Sequence, residues 1–125
     1  MKSKTMNIVT WVVQGLLSMA VLMAGIMKLM KPYGELASEM PWVEDFSPMQ
    51  ITTIGILELM GAIGLNLPFL IKKFTKIVPI AGAGIALLFS GAIITHISRG
   101  ENFIPPLILL FMALFVTYSR KDLFK

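Results

Sequence analysis

Four apolar segments, near positions 8–30, 49–71, 77–97 and 103–118, dominate this 125-residue chain and leave little of it for anything else. Each approaches the roughly 20 residues that a helix needs to cross about 30 Å of hydrocarbon, the fourth being the shortest. No water reaches backbone groups inside a bilayer, so an isolated apolar segment must close its hydrogen bonds internally, as a helix. Composition agrees, with 56% of residues hydrophobic and only 14% charged, against about 25% charged in soluble domains. The expectation is an all-α fold, a four-helix transmembrane bundle forming one domain over residues 1–125, with the lipid bilayer as its solvent.

The segment ends carry matching punctuation. Ser47-Pro48 reads as an N-cap followed by proline in the first helical position. Pro79 falls in the first turn of the third segment, and Pro105-Pro106 open the fourth. Pro68 is expected to end or kink the second helix just after Asn66. Lys2 and Lys4 ahead of the first segment imitate a signal peptide, but the segment is too long and lacks a small-residue cleavage site. It is read as a retained span.

Four spans put both termini and the 72–76 loop on one side, with Lys2, Lys4, Lys72, Lys73, Lys76, Arg120, Lys121 and Lys125. Only Lys28, Lys31 and Arg99 fall on the other. Eight basic residues against three place the N- and C-termini in the cytoplasm by the positive-inside rule. This asymmetry accounts for the pI near 9.6, and no basic face is left to bind nucleic acid. The external connection 31–47 is acidic and aromatic, with Glu35, Glu39, Glu44, Asp45, Tyr33 and Trp42. Part of it is expected to lie at the interface as a short helix.

Several chemistries are excluded. Without cysteine there is no disulfide exchange, thiolate nucleophile or iron–sulfur ligation. One histidine cannot supply a two-histidine metal site, so no metal is expected. The ten methionines are scattered through apolar segments as gap-fillers.

Glu58 stands apart, in the middle of the second apolar segment and about 14 Å deep. An intramembrane carboxylate is expected to face other helices and to mark function. Gly55, Gly61 and Ala62 share its face and permit close helix approach. The first segment has a stripe of Gln14, Ser18, Val21, Gly25 and Lys28 at alternating spacings of four and three, which is one helical face. On the third segment Gly82, Ile85, Phe89, Ala92 and His96 form another. Because Cα–Cβ bonds tilt toward the helix N-terminus, Lys28 and His96 lean inward and Glu58 leans outward. All three aim at one level in the outer half of the membrane. The alternatives are plain ones: Lys28 as a snorkelling interfacial lysine, His96 as a polar helix end, Glu58 as a protonated residue in one interhelical hydrogen bond.

"GIMKL" (25–29), "IGILELMGAIGL" (54–65) and "GAIITH" (91–96), on three consecutive helices, together with Pro105-Pro106, resemble the DoxX-like family of small four-helix bacterial membrane proteins. The resemblance covers nearly the whole chain and maps the family's lysine onto Lys28, its glutamate onto Glu58 and its histidine onto His96. It implies the bacterial cytoplasmic membrane and an association with membrane redox chemistry, the family's name coming from a small subunit of a thiosulfate:quinone oxidoreductase. The expected function is binding of a quinone or similar lipophilic molecule by Lys28, Glu58 and His96, with Gln14 and Ser18 as secondary polar lining. Apart from such a quinone no cofactor is expected, and no catalytic residue is assigned. Two rival readings are a structural or assembly subunit beside an oxidoreductase partner, and a small transporter or proton pathway relaying through Glu58. A homo-oligomer is compatible with all three.

Overall fold

A computed structural model describes residues 3–124 and shows, among them, helices and no strands. The five α-helices are α1 (Lys4–Met30), α2 (Tyr33–Glu39), α3 (Pro48–Ile71), α4 (Ile77–Ser98) and α5 (Ile104–Ser119). A 3-10 turn, Pro41–Asp45, separates α2 from α3, and another, Lys121–Phe124, follows α5. Lys2 and Lys125, counted above among the basic residues, lie outside the described residues.

The long helices occur where hydrophobic patterning places them, and side-chain caps set the starts of α1 and α3. Ser3 caps α1 by accepting from the Met6 N–H, which starts the helix four residues before the apolar run. Ser47 and Gln50 form a capping box at α3, with Pro48 at the first position. α1, α3 and α4 are long and apolar enough to cross a membrane, whereas α5 has 16 residues.

Pro68 neither ends α3 nor shortens it. The helix continues through it to Ile71 and stops at Lys72, which takes the left-handed conformation at φ 57°. Proline removes one backbone donor, but Pro68 is buried against the neighbouring helices, and that packing outweighs one missing hydrogen bond.

Packing runs in a circuit: α1 on α3, α3 on α4, α4 on α5 and α5 back on α1. The core is a column of apolar side chains that includes Leu17, Val21, Leu65, Ile85, Phe89, Ala113 and Val116. A second, smaller cluster of Leu36, Val43 and Ile51 seats α2 and the 3-10 turn against the start of α3. The Tyr33 hydroxyl donates to the Val43 and Phe46 carbonyls at 3.2 and 2.6 Å, fastening this connection on itself. The 31–47 segment is thus a packed cap over one end of the helices. Large apolar side chains on the outward faces, such as Met19, Met23, Leu70, Leu87 and Ile94, stay exposed, as a lipid-facing surface requires.

Candidate functional site

Two glycines build the site. Gly25 on α1 and Gly55 on α3 touch so closely that a Cβ on Gly25 would stand 2.9 Å from the Gly55 carbonyl oxygen. Only a small residue allows two helices this separation. One turn beyond Gly25, the same contact carries Lys28 to Glu58. The Lys28 Nζ lies 3.0 Å from Glu58 Oε1, with side chains 7% and 6% exposed. The two charges meet as a buried ion pair, and no other described group donates to the Glu58 carboxylate. The Lys28 side chain is folded into the protein rather than extended to its surface, and among the described residues its one hydrogen bond is a long one, 3.5 Å, to the Ala24 carbonyl of its own helix.

Beside the pair lies a cavity of about 470 Å³. Its walls are mostly apolar: Ile54, Phe89 and Leu109 from three helices, Pro105 and Pro106 from the start of α5, and Trp42 and Phe46 from the cap. Lys28, Glu58, Thr95 and His96 contribute its polar atoms. Trp42 stands between two of these, its ring 5.6 Å from Lys28 Nζ and 6.1 Å from the His96 ring. Lys28 therefore has a π-face on one side and a carboxylate on the other.

His96 reaches the cavity from α4 but makes its polar contact elsewhere. Its Nδ1 lies 3.0 Å from Glu101 Oε1, and Glu101 Oε2 accepts from Arg99 Nε at 2.9 Å. Arg99 Nη1 then donates to Asp45 at 2.7 Å, which ties the end of α4 to the cap. The hydrogen-bonded Arg99 guanidinium holds the Glu101 carboxyl below its ordinary value, over an opposing effect of burial.

Sequence reasoning brought Lys28, Glu58 and His96 to one level, and all three line one cavity. Gln14 and Ser18 do not line it. They sit on the same α1 face but three to four turns away, where Gln14 donates to the Leu65 carbonyl at 2.7 Å and accepts from Arg120 Nε at 3.0 Å. Ser18 accepts from Asn66 at 2.9 Å. These bonds belong to a separate polar cluster toward the termini. There Arg120, 5% exposed, also donates to Asn7 and lies over the Trp11 and Phe69 rings at 4.6 and 5.0 Å. Thr10 and Ser119 hydrogen-bond beside it.

Trp42 and Glu101 are the site residues that sequence reasoning did not reach. Trp42 was legible only as an interfacial aromatic, and the one signal for Glu101 is a carboxylate five residues after His96, just past a helix end.

A family model described as the DoxX-like family matches residues 12–117, which takes in every residue of the cavity wall named above. No curated protein and no solved structure shows significant similarity to the chain.

Proposed function

The chain belongs to the DoxX-like family, and from that premise we propose that it binds a quinone or similar lipophilic molecule in the cavity beside Lys28 and Glu58. The observation that carries this reading is a mostly apolar cavity of about 470 Å³ with a buried ion pair at its side. Small-molecule sites are typically about 300–1,000 Å³, apolar, with a few polar groups that fix orientation. Lys28 supplies N–H donors to an oxygen of the ligand, and His96 stands on the same wall. Glu58 fixes the ammonium so that it does not withdraw to the headgroups. The apolar walls take the ligand's ring and tail.

In this reading the four long helices form a four-helix transmembrane bundle in the bacterial cytoplasmic membrane, with both termini cytoplasmic and the cavity in the outer half. The chain carries no redox group in its own side chains, so electron transfer requires the bound ligand and an oxidoreductase partner. Solvent extraction of protein purified in mild detergent, followed by mass spectrometry, tests the reading. A quinone or other lipophile should be recovered near one equivalent from the wild type and lost when the cavity is filled by Ala92→Trp. Equal recovery from both proteins would reject it.

A second reading has its own support. The close Gly25–Gly55 contact beside Lys28–Glu58 suits a pair whose role is to lock two helices in a structural subunit. Under that reading the filled-cavity variant keeps all function.

A further inference from the structure

Resting on the proposed ligand-binding reading, we infer that the cavity selects a neutral lipophile whose polar end is a hydroxyl, its O–H donated to Glu58 and its oxygen accepting from Lys28. The ground is the hydrogen bonding of the pair. Glu58 is 5% exposed, yet the Lys28 ammonium at 3.0 Å is the one polar partner its carboxylate has among the described residues. A carboxylate offers about four acceptor positions. A buried ion pair is well stabilised only when further hydrogen bonds complete both partners. Lys28 is equally incomplete, with three N–H donors and one long bond to Ala24. The pair thus offers a donor and wants a donor at the same place.

The other polar side chains on the wall do not meet that want. The Thr95 hydroxyl donates into its own helix at the Gly91 carbonyl, 3.0 Å away. His96 Nδ1 is engaged by Glu101.

Charge and valence then narrow the ligand. Lys28 and Glu58 together are neutral, so an ionised ligand would leave a net charge in a low-dielectric site. A carbonyl oxygen can take an N–H from Lys28 but has nothing to give Glu58. A hydroxyl does both with one atom. Applied to quinone-like ligands, the site favours the reduced, hydroxyl-bearing form over the oxidised one. Trp42 and Phe46 provide flat walls for an aromatic head.

The test compares molecules that differ in that one hydrogen. Radiolabelled 4-nonylphenol is equilibrated with the protein in nanodiscs, with empty nanodiscs as the partition control, and displaced by the unlabelled phenol, its methyl ether or a decyl-substituted benzoquinone. The phenol should displace at least about tenfold better than the ether, a difference of about 1.4 kcal/mol, and better than the benzoquinone. In the Lys28→Met/Glu58→Leu double variant, which removes both charges together, the phenol and the ether should become equivalent. Equal displacement by phenol and ether in the wild type would overturn the hydroxyl assignment while leaving lipophile binding intact. Stronger displacement by the benzoquinone than by the phenol would do the same. Absence of any binding above empty nanodiscs would overturn both the assignment and the function beneath it.

Discussion

Removing one member of the Lys28–Glu58 pair should cost far more than removing both. At 3.0 Å two unit charges attract by about 5–6 kcal/mol at an effective dielectric near 20. Burial of two side chains at 7% and 6% exposure sets a desolvation cost of similar size against this, so the intact pair contributes little net stability. A single substitution leaves that cost in place with nothing to offset it, and such losses run about 3–5 kcal/mol. Lys28→Met and Glu58→Gln should each lower the melting temperature in mild detergent, followed by circular dichroism, on the order of 10–20 °C. The double variant should recover most of the loss, retaining about 1–2 kcal/mol of it, which makes the coupling at least about 4 kcal/mol, well above the 0.5 kcal/mol or so within which independent sites add. Losses that simply sum would refute the electrostatic account of the pair and leave the glycine contact as the source of helix association.

Four further outcomes follow from particular positions. Gly25→Val should push α1 from α3, because the new Cβ meets the Gly55 carbonyl at 2.9 Å rather than a flexible side chain; a loss of about 1–3 kcal/mol is expected. Gly15→Ala, with open space around it, should stay within about 0.5 kcal/mol in the same thermal assay. Glu101 has its carboxyl lowered from the ordinary 4.5 by Arg99, so its part in holding the cap is fully present above that value and is lost as pH falls through the lowered one. Proteolysis of the 31–47 connection should therefore be flat from neutral pH to about 5 and accelerate only below the carboxylate range, and Arg99→Gln, which removes the tie to Asp45 itself, should raise proteolysis at every pH and abolish that onset. A reporter fused after Lys125 should be active only as a cytoplasmic fusion, and external activity would reverse the membrane orientation.

Periodicity was enough to find the long helices, and side-chain direction along them was enough to find the Lys28–Glu58 pair. Both depend on the helix alone: 3.6 residues per turn fixes the face, and the backward tilt of Cβ fixes the level. The capping box at Ser47 was equally local. What escaped depends on chain segments that no period describes. Trp42 reaches Lys28 because Leu36, Val43 and Ile51 seat the cap, and Glu101 reaches His96 because the chain turns just after α4. Arg120 counts in a charge tally as one more interfacial cation. In the fold it is buried beneath Trp11 and Phe69 and bonded to Gln14, which also explains why Gln14 serves the cluster near the termini and not the cavity. Pro68 shows the reverse for the helix end, a strong local stop signal outweighed by packing.

The shortness of α5 bears on how a ligand arrives. Sixteen residues rise about 24 Å, some 6 Å less than a typical hydrocarbon thickness of about 30 Å. In the four-span arrangement proposed above, the bilayer beside α5 must thin or bend to meet it, since mismatch of this kind is relieved by local deformation of the lipid. Pro105 and Pro106, at the start of that short helix, are also cavity wall. The dimple therefore forms against the site itself, where disordered acyl chains and dipping headgroups bring an amphiphile's polar end down to the depth of Lys28 and Glu58. Sideways entry from the membrane, beside the start of α5 and without any opening of the cap, becomes the short route.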